Sequence, residues 1–159
     1  MAEKNYSEAI FKAVEEYLTE KDWKFKTMED RGVIQTGLRL RNKLKSTDIA
    51  FRIHQEDFVI TLVLPIGAGE EAEDLARVNE FLTRANYGMR RGCFEMDFND
   101  GEVGFRISQY CDEGQSPSSD AIEDTLFIGV AMVERYGDAF LKVVYDLATP
   151  EEAVDEAES

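Results

Sequence analysis

Ile49-Ala50-Phe51-Arg52-Ile53-His54-Gln55-Glu56-Asp57-Phe58-Val59-Ile60-Thr61-Leu62-Val63-Leu64 is the stretch that decides the fold. Ile49, Phe51 and Ile53 keep one parity, and after a polar turn Phe58, Ile60, Leu62 and Leu64 keep another. Side chains alternate between the two faces of a strand, so this period of two predicts two strands with one buried side each. Folding the stretch into a hairpin places Ile53 opposite Ile60, Phe51 opposite Leu62 and Ile49 opposite Leu64. All the large apolar side chains then share one face. A slip of one residue would turn a whole strand over, so the agreement constrains the register.

Toward the N-terminus the pattern continues. Ile34, Thr36, Leu38 and Leu40 form one set, and Trp23, Phe25 and Thr27 form another. Turning at the Lys-rich Asn42–Ser46 stretch pairs Leu40 with Ile49 and Leu38 with Phe51. Trp23 then faces Leu38, Phe25 faces Thr36 and Thr27 faces Ile34. The result is a four-strand antiparallel meander with a single apolar face. A helix over about Tyr6 to Thr19 precedes it. Asn5 and Glu8 stand at capping-box spacing, and Ile10, Val14, Tyr17 and Leu18 form the helix stripe.

Toward the C-terminus a second helix spans about Glu70 to Asn86. Glu70, Glu71, Glu73 and Asp74 crowd its first turns, where the helix dipole favours negative charge. Leu75, Val78 and Leu82 are its stripe, and Gly88 can end it. Asp100-Gly101 then suits a two-residue type I′ hairpin turn. That turn pairs Phe98 with Val103, Met96 with Phe105 and Phe94 with Ile107, and puts Glu95 beside Arg106 as a salt bridge. Cys93 falls on the outer face and Cys111 on the inner, which argues against a disulfide between them. A last helical region follows Ser116-Pro117, capped by Ser118, Ser119 or Asp120. Its core positions are Ile122, Leu126, Val130 and Val133, with a break at Gly137 before Phe140, Leu141, Val144 and Leu147. Pro150 stops that pattern.

The expected fold is therefore α+β. Its antiparallel sheet is a four-strand meander plus a C-terminal hairpin, helices pack on one face, and the order is α-ββββ-α-ββ-α. Phe51, Leu62, Phe94, Met96 and Phe105 should be buried, together with Leu75, Leu82 and Leu126. Residues 1–148 are expected to form a single domain. Residues 149–159 hold five acidic side chains and no basic one, and their composition predicts a disordered tail that is dispensable for folding.

Charge limits the function classes. Of 159 residues, 33 are Asp or Glu and 18 are Lys or Arg, so the net charge is −15. This weighs against a general nucleic-acid binder and against attachment to anionic membranes. Met1-Ala2-Glu3-Lys4-Asn5 lacks a basic stretch followed by an apolar one, so no secretory signal is expected. Two cysteines are too few for a disulfide framework, and a cytoplasmic setting is the expectation.

Three patterns bear on chemistry. Gly67-Ala68-Gly69-Glu70-Glu71-Ala72 fits a dinucleotide fingerprint, but two glutamates stand where a pyrophosphate would sit, and the surrounding strands are antiparallel. Glu95, Asp97 and Asn99 have calcium-loop spacing, yet Asp100 replaces the required Gly and Arg106 the required Glu, so no metal is expected. His54 is the single histidine, and no motif sets a nucleophile beside it. No catalytic residue and no cofactor is assigned.

The most distinctive pattern is a cationic strip. Residues 31–54 carry Arg31, Arg39, Arg41, Lys43, Lys45 and Arg52 against Asp48 alone, a net +5 in a chain whose remainder is −20. Alternation places Arg39, Arg41, Lys43, Arg52 and His54 on the outer face of the meander, with Arg106 on the outer face of the hairpin. This face is either simply solvated, which also discourages edge pairing, or a binding surface for an acidic partner.

Three segments carry a family resemblance: Ala76-Arg77-Val78-Asn79-Glu80-Phe81-Leu82, Gly92-Cys93-Phe94-Glu95-Met96-Asp97, and Asp100-Gly101-Glu102-Val103-Gly104-Phe105-Arg106. In these the chain resembles the YbjN-domain family, a bacterial family described as a sensory transduction regulator. A helix with an Asn, a Gly-x-Phe strand start, an acidic-Gly turn and a strand ending in Phe-Arg make up the shared pattern. The resemblance implies a fold similar to that of type III secretion chaperones. It also implies a non-enzymatic binding or adaptor role through protein–protein contacts, often as a homodimer. It supplies no catalytic residue. The alternative is a small-molecule or nucleotide-binding protein, or a hydrolase, using the Gly67 turn or His54.

Overall fold

In a computed structural model of the chain, residues 3–112 and 115–159 are described. Met1 and Ala2, on which the reading of the chain start leaned, lie outside them. The element order is α1 (Glu8–Glu20), β1 (Lys26–Met28), β2 (Val33–Arg39), β3 (Ser46–Ile53), β4 (Asp57–Val63), α2 (Ala72–Asn86), β5 (Cys93–Met96), β6 (Val103–Tyr110), α3 (Ser119–Val144) and α4 (Pro150–Glu158). The six strands form one antiparallel sheet in the order β1-β2-β3-β4-β6-β5. The α+β class and the one-sided sheet are as the sequence predicts. Meander and hairpin are joined into one sheet by β4 pairing with β6, with Ile60 opposite Ile107 and Leu62 opposite Phe105.

The local signals explain most boundaries. Ser7, not Asn5, caps α1 by accepting a hydrogen bond from the Ile10 amide. Ser118 does the same for α3 through the Ala121 amide. That helix runs unbroken through Gly137, and the glycine is there for room, since a side chain would strike Asn42 and Leu44 of the β2–β3 loop. The sheet's inner face carries Ile34, Ile49, Phe51, Phe58, Ile60, Leu62, Phe105 and Ile107, all essentially buried against one core shared with the helices. Of the expected core residues, Met96 and Leu75 are only half-buried, while Val78 and Phe81 supply the buried positions of α2. Trp23 and Phe25 pack on the core just before β1 rather than within it.

Three registers differ from expectation. The β1–β2 pairing is as expected, with Thr27 opposite Ile34. Across β2–β3, however, Phe51 faces Ile34, because the Leu40 amide donates to the Lys45 carbonyl and closes a shorter loop than the Leu40–Ile49 pairing would leave. Across β3–β4, Phe51 faces Ile60, since the His54 amide donates to Asp57 and leaves a tight Gln55-Glu56 turn. In the last hairpin Phe94 faces Phe105, and Phe98 stands in the loop, 60% exposed. Its turn is four residues long rather than two. The Asp97 amide donates to Glu102, and the Asp97 and Asp100 carboxylates take the Asn99 and Glu102 amides.

Residues 149–159 overturn the expectation of a disordered tail. Pro150 begins α4 rather than ending structure, and Thr149 with Glu152 forms a complete capping box. Ala153 and Val154 are buried against α2 and α3. Lys142 pairs with Glu156 at 2.6 Å, so the acidic composition is answered by a specific cation.

The Gly67-x-Gly69 segment packs on the last hairpin. Ala68 donates its amide to the Gly101 carbonyl at 2.8 Å. A Cβ on Gly67 would lie 2.5 Å from the Gly101 oxygen, and one on Gly101 would strike the Gly69 backbone. The close backbone approach that a dinucleotide fingerprint devotes to phosphate is here made to a β-turn. Gly101 also has φ +77°, in the left-handed region. Gly101→Ala is expected to cost about 2 kcal/mol in urea unfolding, through strain plus a backbone clash. Gly88→Ala, equally left-handed but with open space around it, should cost clearly less.

Candidate binding surface

Period-two alternation that buries one sheet face necessarily presents the other. The helices share the inner-face core, so the outer face of β2, β3, β4 and β6 is bare. Its centre is Val59, Thr61 and Val63 of β4 with Ala50 of β3, all half-buried by neighbouring strands alone. Arg39, Arg52, Arg106, Ser108 and Tyr110 surround them and are exposed. Arg52 stands opposite Val59, and Arg106 opposite Thr61, so each guanidinium stem borders the apolar stripe.

The six candidate residues do not form one strip. Arg39 and Arg52 lie on the outer face as expected, and among the described residues no carboxylate reaches either within 4.0 Å. Arg106 also lies there, but its Nε donates to Glu95 at 2.9 Å, the salt bridge read from the sequence, now a diagonal pair. Arg41 and Lys43 are a correction. They leave the sheet in the β2–β3 loop, which folds over onto α3. The Arg41 amide donates to Glu134 and the Lys43 amide to Asp138 at 2.8 Å, while the Asn42 side chain donates to the Val133 and Glu134 carbonyls. Strand periodicity extended to Lys43 runs four residues past Arg39, where β2 ends, and the buried Leu44 pins the loop there. His54 is exposed at the β3–β4 turn, where its backbone carbonyl accepts the Ser7 amide.

Sequence reasoning missed a second feature, a groove of about 510 Å³ between the α2–β5 connection and α3. Met89, Ile128 and Met132 line it, apolar side chains that pack against the edge of the core and stay half-buried. Cys111 is buried on the inner face, and burial, with Asp57 next in effect, pushes its thiol up from the usual value. Cys93 lies half-buried on the outer face, so the two thiols occupy opposite sides of the sheet.

Comparison with known proteins follows from this fold. The family described as "YbjN: Putative bacterial sensory transduction regulator" matches residues 11–142. A structure titled "Crystal structure of YbjN, a putative transcription regulator from E. coli" is similar with a TM-score of 0.55 and 6% identity, covering 85% of this chain and 88% of that one. "Crystal Structure of the ExsC-ExsE Complex" gives a TM-score of 0.47 and 13% identity, covering 79% of this chain and 91% of that one. No curated protein matches. Among the described residues no helix is long and apolar enough to cross a membrane.

Proposed function

The chain belongs to the YbjN family, and we propose that it is a non-enzymatic binding or adaptor protein acting through the bare outer face of its sheet. The observation that carries this reading is the Val59–Val63 stripe, left without a covering helix and bordered by Arg39 and Arg52, whose guanidiniums have no carboxylate partner among the described residues. An apolar centre whose rim is mainly cationic, with Asp48 opposite Val63 as the one acid of β3, fits a protein surface that is acidic and partly apolar. A second copy of this chain, at net −15, is the first such partner, and a homodimer is the assembly this reading favours. The setting is cytoplasmic, where Cys93 and Cys111 stay reduced.

A double charge reversal, Arg39→Glu with Arg52→Glu, tests it. Both residues are exposed, so the fold should keep its melting temperature. Sedimentation velocity should show self-association weakened roughly tenfold, and a pull-down from native cytoplasm should lose its acidic partners. The wild-type interaction should itself weaken on raising salt, since rim charges are screened over about 10 Å at 0.1 M. A folded variant that keeps its oligomeric state and every partner would sink the sheet-face reading.

A further inference from the structure

We propose that the groove between the α2–β5 connection and α3 is a second docking site, and that its occupant is an acidic amphipathic helix of a partner protein. Its floor is apolar: buried Ala85 and the half-buried Met89, Ile128 and Met132. Tyr87 stands at its edge with 92% of its surface exposed. Methionines are unbranched and polarizable, and they suit a surface that adapts to apolar anchors. The groove encloses about 510 Å³, room for several apolar anchoring side chains.

The charge around that floor is opposite to the charge of the chain. Arg90, Arg91 and Arg135 all line the groove, in a protein with nearly two acidic residues for each basic one. Only one of the three has its charge answered. Arg91 pairs with Asp124 at 3.0 Å and also donates to Gln109 and Thr125. Arg135 gives its Nε to the Ala157 carbonyl and lies over the Tyr136 ring, with its centre 5.5 Å from the ring centroid. Arg90 is exposed, and among the described residues no carboxylate lies within 4.0 Å of it or of Arg135. Two guanidiniums without counter-ions over an apolar floor select for acid joined to apolar side chains, and against a basic competitor.

The molecule already binds this kind of helix next door. On the adjoining surface of α2 and α3 sits α4, with Ala153 and Val154 buried, Glu156 on Lys142 and Glu151 4.0 Å from Arg84. The groove opens where α4 ends, and Glu158 is part of its wall. An acidic amphipathic helix entering the groove would therefore extend the packing that α4 begins. This site is separate from the sheet face, so either can fail without the other.

The probe is a stapled synthetic helix of about 14 residues, roughly 21 Å long, with leucines along one stripe and glutamates elsewhere. A matched helix carries lysines in place of the glutamates. The protein is labelled at its methionine methyl groups, which places reporters at Met89 and Met132 in the groove and at Met28 in β1, away from it. Titration with the acidic helix should move the Met89 and Met132 signals saturably and leave Met28 still. Arg90→Glu with Arg135→Glu should weaken binding at least about tenfold while the Met28 signal keeps its wild-type position, whereas Arg39→Glu with Arg52→Glu should leave binding unaltered. The proposal is overturned if Met89 and Met132 do not respond, if the lysine helix binds as well, or if Met132→Lys abolishes self-association with no helix added. That last result would make the occupant a second copy.

Discussion

Phe105→Ala is expected to lower the free energy of unfolding by about 4 kcal/mol, near the middle of the range for buried Phe truncations. Phe105 is fully buried on the inner face of β6 and meets Phe94 edge-on at 5.0 Å between centroids. Part of its surroundings is glycine backbone. A Cβ on Gly92 would come within 2.7 Å of its ring, and one on Gly129 within 3.6 Å. Glycines have no side chain to swing into the vacated space, so collapse from that side would relieve little of the cost. Phe98→Ala deletes the same atoms from a side chain in the hairpin loop that is 60% exposed, and should cost under about 1 kcal/mol. The contrast, read from urea unfolding, also tests the hairpin register. A two-residue Asp100-Gly101 turn would put Phe98 in the core, and the two substitutions would then cost alike.

That contrast shows what the sequence could carry. Every register error was even: four residues across β2–β3, two across β3–β4 and two across β5–β6. Even slips preserve parity, so Phe51, Leu62 and Phe105 were assigned to the right face beside the wrong partners. Alternation is a property of each strand and is written locally. Partner choice depends on turn closure, and the turns were decided by hydrogen bonds that composition does not announce. Lys45 closes its loop from the left-handed region at φ +71°, and the Asp97 and Asp100 carboxylates fold the last loop back on its own amides. The β4–β6 pairing joins strands separated by α2, and no periodicity says which edge a hairpin will join. The candidate surface suffered from the same cause. Arg39 and Arg52 were placed by true strand periodicity, whereas Arg41 and Lys43 were placed by extending it into a loop that turns toward α3.

Removing residues 150–159 is expected to lower the melting temperature by roughly 6–12 °C, the equivalent of about 3 kcal/mol for a chain of this size. The sequence had offered the opposite expectation, because five carboxylates in eleven residues look like a solvated tail. The competing signal was also present. Thr149, Pro150 and Glu152 are a capping box with proline at the first helical position, and Ala153, Val154 and Ala157 share one helical face. Ordering these residues costs conformational entropy, so net stabilisation requires that burial exceed it. Burial of Val154 and Ala153 on one side, and of the α2 and α3 surface beneath them on the other, supplies the gain. Lys142 at 2.6 Å from Glu156 adds little, being exposed and screened. The loss should therefore persist in high salt, which separates apolar docking from electrostatic tethering. Val154→Asp keeps the chain length and should reproduce most of the effect, since it places a carboxylate in an apolar seat. If both proteins melt with the wild type, the docked helix contributes nothing to stability, and its seat on α2 and α3 is open to exchange with another helix.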